Sequence, residues 1–185
     1  MTAGTGSHTV LYDGAALERV LDAMAARLAG LLAHAPSVTL VGVRRRGAPL
    51  ADALRVRLMA QRPGLTVERL DLLIKRYGDD LSLLHPETAL TEQPGQLKLD
   101  LRGQTLVVVD DVLYRGFSLN KAVQYLVGKG GETILTAVLA DRVCASLPLH
   151  ADVAGLRLQV SPGSIVECHV PPFEPVLQLV LVRPS

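Results

Sequence analysis

Hydrophobic and polar residues follow two alternating patterns along this chain. Apolar residues repeat at helical spacing over about 14–34, after an Asp13 that can cap the helix. Nearly continuous apolar runs at 38–43 and 106–109 are typical of strands buried on both faces of a parallel sheet. A segment with helical spacing follows each of these runs. The alternation predicts an α/β fold with a central, mostly parallel sheet flanked by helices.

The other strand patterns are less uniform. Residues 65–74 read as a half-exposed strand, and 133–139 form a further β-rich run. The tail carries strand patterns at 165–170 and 176–182, joined by the proline-rich stretch 171–175. This short connection predicts an antiparallel C-terminal β-hairpin rather than another strand–helix unit.

Two segments lack a regular pattern. The polar start, residues 1–12, is expected to be mobile. Residues 75–96 are polar, contain two prolines and show little periodicity. A segment this long inside a compact domain is either a functional lid or an exposed flexible hairpin, and its length alone does not decide between them.

Composition narrows the class of protein. A chain of 185 residues suits one domain, and with 49% hydrophobic residues but no Trp its core is expected to consist of Leu, Val and Ala. A net charge of +1 provides no whole-chain attraction for nucleic acid. Cys144 and Cys168 lack metal-site spacing and are expected to be buried thiols. Without a membrane-spanning run or a leader, a soluble cytoplasmic protein is expected.

The most informative stretch follows the second buried run. Asp110 and Asp111 come at the end of that strand, and a short loop leads from them into a helix that begins near Phe117 or Ser118. Ligands of open α/β sheets bind outside the carboxyl ends of the strands. Two carboxylates can accept hydrogen bonds from vicinal hydroxyls, and the loop amides with the helix N-terminus can hold a phosphate. These residues therefore predict a ribose-5-phosphate site.

Two other strands end in charged residues that belong at the same sheet edge. The first runs into Arg44-Arg45-Arg46-Gly47, which is either a solvated turn or a place where arginines hold an anion bidentately. The run at 133–139 leads to Asp141 and Arg142, which are either a surface ion pair or part of a base-binding pocket.

The stretch VVVDDVLYRGFS, residues 107–118, resembles the signature of type I phosphoribosyltransferases, and its Asp-Asp-Val-Leu-Tyr form is closest to the PyrR branch. That branch regulates pyrimidine operons by attenuation and has uracil phosphoribosyltransferase activity. The branch usually reads Thr-Gly-Arg-Thr where this chain has Arg115-Gly116-Phe117-Ser118. The backbone amides are unaffected by this departure, but one hydroxyl is lost and the arginine has moved.

The resemblance extends over about 38–182. VGVRRRGAPLA, residues 41–51, is similar to the pyrophosphate loop of the PyrR branch, with Arg45 at a position where threonine is usual. DLLIKRYGDDLS, residues 71–82, is similar to its hood loop, in which Arg76 would reach the pyrophosphate. The segment after Asp141 resembles the uracil pocket, although Val153 and Leu156 replace a tyrosine and a lysine.

The resemblance implies a type I phosphoribosyltransferase fold in one domain, residues 1–185, with a flexible hood loop at 75–96 and a C-terminal β-hairpin. It implies Mg²⁺ that is bound with phosphoribosyl pyrophosphate (PRPP) rather than fixed by the protein alone. The implied partners are PRPP, uracil or UMP, an mRNA leader, and further copies of the chain in a homo-oligomer, with no membrane. The implied catalytic residues are Asp110, Asp111 and Arg46. The implied PRPP-binding residues are Arg45, Arg46, Gly47, Arg76, Asp110, Asp111, Tyr114, Arg115, Gly116, Phe117 and Ser118, and the implied base-binding residues are Asp141, Arg142 and Leu147.

Three functions remain open at this point. The chain is an active uracil phosphoribosyltransferase, a catalytically weakened nucleotide sensor that binds mRNA, or a phosphoribosyltransferase for another base. The substituted phosphate loop favours weakened catalysis. An RNA-binding face would need a local basic patch, for which the candidates are Arg55, Arg57, Arg62 and Arg69.

Overall fold

A computed structural model describes residues 7–76, 88–91 and 96–184. Within these ranges the chain forms nine strands and three helices. In chain order they are β1 (Ser7–Tyr12), α1 (Gly14–Leu31), β2 (Ser37–Arg44), α2 (Gly47–Gln61), β3 (Thr66–Arg76), β4 (Thr88–Thr91), β5 (Thr105–Leu113), α3 (Phe117–Gly128), β6 (Thr133–Asp141), β7 (Val153–Arg157), β8 (Ile165–His169) and β9 (Gln178–Arg183).

The larger sheet has six strands in the order β4-β3-β2-β5-β6-β7. Every neighbouring pair is parallel except β3 and β4. The prediction of an α/β fold with a mostly parallel sheet is therefore confirmed. Because β2, β5 and β6 are adjacent and parallel, their carboxyl ends lie side by side at one edge of the sheet.

Helices cover both faces of this sheet, which explains the nearly continuous apolar runs. Val107 and Val109 of β5 pack with α1 and α2 in one buried cluster, whereas Leu106 and Val108 pack with α3 in a second cluster. Successive strand residues point to opposite faces, so a strand covered on both sides needs an apolar residue at every position. Full burial of one such side chain contributes about 1.5–3 kcal/mol.

A second, three-stranded antiparallel sheet has the order β1-β9-β8. The β8–β9 pair confirms the predicted C-terminal hairpin. A strand was not expected in the first twelve residues, and Ser7–Tyr12 corrects that expectation by pairing with β9. The first four side chains of β1 are exposed, and only Leu11 and Tyr12 pack against the core, so the strand lacks the apolar alternation that would have revealed it.

The predicted hood segment, 75–96, lies only partly within the described residues. β3 continues to Arg76, so the segment begins as sheet, and Thr88–Thr91 within it forms β4 against β3. Residues 77–87 and 92–95 lie outside the described residues. In the described ranges, the helices are too short or too polar to cross a membrane.

Candidate active site

The candidate site lies at the carboxyl edge of β2, β5 and β6. Leu113 at the end of β5 pairs with Asp141 at the end of β6, and Gly42 near the end of β2 pairs with Val109. Gly47, which begins α2, approaches β5 so closely that a Cβ there would lie 2.4 Å from the carbonyl oxygen of Val109. The structure therefore brings the segment Arg44-Arg45-Arg46-Gly47, called the arginine turn here, close to the acids Asp110 and Asp111, as the sequence predicted.

The two acids are held by the backbone around them. Asp110 is buried, and its Oδ1 accepts a hydrogen bond from the amide of Asp111 at 2.9 Å. Oδ1 of Asp111 accepts one from the amide of Val112 at 2.8 Å, and its Oδ2 lies 4.0 Å from Nη1 of Arg46. Strand β5 continues to Leu113, so the acids lie within the strand and not after its end as the sequence pattern indicated.

Arg46 forms a salt bridge with Glu174, a residue that the sequence did not single out. Its Nε donates to Oε1 and Oε2 of Glu174 at 3.1 and 3.3 Å, and its Nη2 donates to Oε1 at 2.5 Å. Hydrogen bonding to Glu174 raises the pKa of Arg46, and the same contact lowers the pKa of Glu174. Beside this pair, the guanidinium carbon of Arg45 lies 5.3 Å from the ring centre of Phe173.

Phe173 and Glu174 belong to the connection between β8 and β9, far from the arginine turn in sequence. The only sequence signal is that Glu174 is the one acid within the proline-rich stretch 171–175. The connection was predicted as a simple hairpin turn. The structure instead places it against the arginine turn, at the edge of the candidate site.

The loop after β5 and the start of α3, residues 114–118, are the segment predicted to bind phosphate and are called the phosphate turn here. Gly116 precedes α3 with a φ of 87°, a conformation that side-chain-bearing residues rarely adopt. Among the described residues no side-chain hydrogen bond caps this helix at Gly116, and the helix N-terminus is the positive end of its dipole, which favours an anion. Ser118 is buried in the first turn. The amide of Ser146 donates to the carbonyl of Arg115 at 3.1 Å, which ties the loop to the segment after β6.

An aromatic ring joins the phosphate turn to the segment after β6. The guanidinium carbon of Arg142 lies 4.2 Å from the centre of the Tyr114 ring, and that of Arg115 lies 5.4 Å from it. Arg142 is buried, and its Nε has no hydrogen-bond partner among the described residues. Because Arg142 is buried against Tyr114, it is not the solvent-exposed member of a surface ion pair that was the alternative.

A cavity of about 370 Å³ lies next to the phosphate turn. Two of the predicted base-binding residues, Asp141 and Leu147, line this cavity. The third, Arg142, stacks on Tyr114 and is not among the lining residues. Oδ1 of Asp141 accepts a hydrogen bond from the amide of Val143 at 2.8 Å. The cavity adjoins the turn because a Cβ on Gly116 would lie 3.5 Å from Leu149, another lining residue.

Two basic residues of this cavity, His150 and Arg157, were missed from the sequence. Arg157 ends β7 and pairs in register with Asp141 of β6. A predicted order of the strands would have indicated this proximity. The local sequence around Arg157 contains no motif that does so.

Two further expectations have different outcomes. The backbone of Arg76 pairs with Thr88 at the end of β3, but its side chain lies outside the described part of the structure.

Cys168 is buried as expected, and burial raises the pKa of its thiol. The expectation of a buried Cys144 is wrong, since this thiol is exposed on the loop after β6, 3.9 Å from the carbonyl oxygen of Tyr114.

Carboxylates, an arginine turn and a helix N-terminus thus share one sheet edge, which is the architecture of a sugar-phosphate site on an open α/β sheet. Residues 7–172 match the phosphoribosyl transferase domain. The chain therefore belongs to the phosphoribosyltransferase family.

Curated relatives support this assignment over most of the chain. The Bifunctional protein PyrR of Synechococcus sp. (strain JA-2-3B'a(2-13)) is 32% identical over 165 residues, which cover 89% of this chain and 88% of the relative. The protein of the same name from Listeria welshimeri is 31% identical over 176 residues, covering 94% and 96%. Within the phosphoribosyltransferases, the chain therefore belongs to the PyrR branch.

Solved structures support the fold alone. A hypoxanthine phosphoribosyltransferase from Trypanosoma cruzi superposes with a TM-score of 0.72 at 18% identity, covering 95% of both chains. A hypoxanthine-guanine phosphoribosyltransferase from Bacillus anthracis gives 0.71 at 12% identity, covering 99% of both. The predicted type I phosphoribosyltransferase fold is confirmed.

Proposed function

We propose that this protein transfers ribose-5-phosphate from PRPP to a ring nitrogen of uracil, giving UMP and pyrophosphate. The observation that carries the proposal is the meeting of Asp110 and Asp111, the arginine turn and the N-terminus of α3 at one sheet edge. Uracil as the base rests on the similarity to the PyrR branch. That branch also suggests a homo-oligomer.

The chemistry requires one bond exchange at C1 of the ribose. The bond from C1 to the pyrophosphate oxygen breaks with its electron pair leaving on pyrophosphate. A bond from C1 to the base nitrogen forms, and the proton of that nitrogen passes to solvent. The sugar becomes positively charged in between, so groups that place negative charge near C1 and positive charge near pyrophosphate lower the barrier.

The described residues supply both charges. Asp110 and Asp111 would accept hydrogen bonds from the ribose hydroxyls and favour the developing positive charge. The amides from Tyr114 to Ser118 would bind the 5-phosphate. Arg46, with Arg45, would offset the charge that grows on pyrophosphate. A contribution from Arg76 stays a prediction from the sequence, since its side chain lies outside the described residues.

Magnesium fits this arrangement as a companion of the substrate. The described residues contain no group of three or more His, Cys, Asp or Glu side chains placed to hold a metal ion, whereas Mg²⁺ is commonly bound by one or two carboxylates with phosphate oxygens and water. Asp110 and Asp111 are the residues that would hold it with PRPP. When bound, Mg²⁺ neutralises pyrophosphate charge.

The base would occupy the cavity beside the phosphate turn. Asp141 can accept from a base N–H, and Leu147 provides an apolar wall. The cavity also contains the side chains of His150 and Arg157. Val153 and Leu156 stand where the PyrR branch usually has a tyrosine and a lysine. Other bases should therefore be assayed alongside uracil.

Regulation through mRNA is the second candidate, favoured by the substituted loop Arg115-Gly116-Phe117-Ser118. The four arginines considered for an RNA-binding patch make intramolecular salt bridges or hydrogen bonds instead. Arg57 pairs with Glu18 and Asp22, and Arg69 pairs with Asp52 and Asp71. Arg55 and Arg62 donate to backbone carbonyls. A face for RNA would therefore have to use other residues.

The test measures PRPP binding before turnover. PRPP with Mg²⁺ at about 100 times its Kd should stabilise the protein by about 2.7 kcal/mol, which raises the Tm by about 5–10 °C in a domain of this size. Asp110→Asn with Asp111→Asn should abolish this shift, while Asp100→Asn, at an exposed acid, should retain it. An unchanged shift in the double variant would remove the site assignment.

Turnover then separates the candidates. Release of pyrophosphate with uracil, and not with guanine or hypoxanthine, supports the proposed enzyme. Release with another base supports that base. PRPP binding without turnover, together with salt-sensitive binding of a leader RNA, supports the regulator.

A further inference from the structure

Glu174 occupies an unusual place for an acid, because it touches the arginine turn of a site that is proposed to bind pyrophosphate. Its carboxylate receives two donors of Arg46 and also accepts a hydrogen bond from the amide of Val170 at 2.8 Å. The Glu174 side chain is 16% exposed and that of Arg46 is 33% exposed. The pair is therefore partly shielded from water, unlike an ordinary surface ion pair.

The contact uses only one edge of the guanidinium. Nε and Nη2 face Glu174, while Nη1 points toward Asp111, 4.0 Å from Oδ2. An arginine side chain has several rotatable bonds and loses entropy when it is fixed. With one edge held by Glu174, the guanidinium keeps Nη1 directed at the acids before any ligand arrives.

The neighbouring residue makes a parallel contact. Phe173 lies under Arg45, so adjacent residues of the β8–β9 connection contact adjacent arginines of the turn. The backbone of this connection is fixed in turn, because the amides of Phe173 and Glu174 both donate to the carbonyl of Val170. The connection thus presents Phe173 and Glu174 to the arginine turn from a supported position.

We infer that Glu174 is a positioning residue: it orients Arg46 for the pyrophosphate group of PRPP, and the β8–β9 connection is part of the pyrophosphate side of the site. This inference rests on the proposed function. Pre-ordering a charged group removes an entropic cost that substrate binding would otherwise bear. Glu174 acts through Arg46 and does not touch the ribose or the base.

The test compares Glu174→Gln with a matched control. Gln keeps the shape of the side chain but cannot offer two acceptor oxygens to the guanidinium. Asp100 grips Arg102 with almost the same geometry, at 2.9, 3.1 and 2.5 Å, on the exposed surface. Asp100→Asn therefore removes a similar arginine–carboxylate pair away from the site.

The expected result is a rise of about tenfold in the Kd for PRPP with Mg²⁺ in Glu174→Gln, and no change in Asp100→Asn. The KM for PRPP should rise while the KM for the base stays constant, a split that a general loss of structure would not produce. In an Arg46→Ala background, adding Glu174→Gln should change the Kd by less than about twofold, since the two residues act as a unit.

Several outcomes would overturn the inference. They are an unchanged Kd in Glu174→Gln, a lower Kd, or a further tenfold loss in the Arg46→Ala background. If Glu174→Gln only lowers the Tm of the ligand-free protein, Glu174 supports the fold and not Arg46. A wild-type protein that fails to bind PRPP would instead refute the proposed function, which is a different result from a wild type that binds and a Glu174→Gln that binds equally.

Discussion

Gly47 offers the sharpest test of how closely the arginine turn must approach the acids. A Cβ at this position would lie 2.4 Å from the carbonyl oxygen of Val109 and 3.1 Å from the Cα of Asp110. Cβ atoms do not approach other atoms within 3.0 Å, so Gly47→Ala must move the turn or β5 by at least 0.6 Å, the difference between 3.0 and 2.4 Å. Both obstructing atoms belong to the backbone, which cannot swing aside as a side chain can.

The cost has a structural and a catalytic part. Overpacking of this kind costs about 1–3 kcal/mol, which lowers the Tm by roughly 2–12 °C in a domain of this size. Displacement of Arg46 from Asp111 should also weaken the site, because a misplacement near 1 Å can cost about 100-fold in rate. We therefore expect a fall of about tenfold to 100-fold in kcat/KM for PRPP, beyond the effect of stability.

Gly30→Ala provides the matched control. Gly30 lies in α1, where a Cβ would meet no atom within 4 Å. Replacing a helical glycine by alanine should stabilise the protein by about 0.5–1 kcal/mol and leave PRPP kinetics unchanged. Thermal unfolding measures the effect on stability. Steady-state kinetics, at a temperature well below the Tm of either variant, measures the effect on catalysis. A Gly47→Ala protein with wild-type Tm and wild-type kcat/KM would refute the close approach of turn and acids.

Two further predictions concern the loops around the site. Replacing Arg115→Thr together with Phe117→Arg restores the usual residues of the PyrR branch and should raise any turnover with PRPP; a decrease in kcat/KM would mean that the present loop binds the 5-phosphate in its own way. A thiol reagent at neutral pH should modify Cys144 and spare Cys168, because Cys144 is exposed while burial raises the pKa of Cys168. Mass spectrometry of the labelled native protein should find one modified thiol, and Cys144→Ser should remove it; rapid labelling of both thiols without unfolding would contradict the burial of Cys168.

The sequence by itself determined the parts of this protein that depend on local patterns. Strands covered on both faces need apolar residues at nearly every position, so the runs at 38–43 and 106–109 predicted buried strands of a parallel sheet. In such a sheet the residues after the strands must meet at one edge. The approach of Arg46 to Asp111 followed from that rule. The helical spacing after the loop predicted that α3 begins near Phe117 or Ser118, directly after Gly116.

The tertiary structure alone decided the contacts between distant segments. Glu174 forms a salt bridge with Arg46, 128 positions away in the sequence, and Phe173 contacts Arg45. The sequence of 171–175 indicates only a turn. Likewise, β1 pairs with β9 through its backbone and buries only Leu11 and Tyr12 in part, which is too little for a sequence pattern. Arg157 reaches the cavity through the register of β7 with β6. Periodicity records which side of an element is buried, but it carries no information about which other element covers that side. That choice is made by the packing of the whole chain.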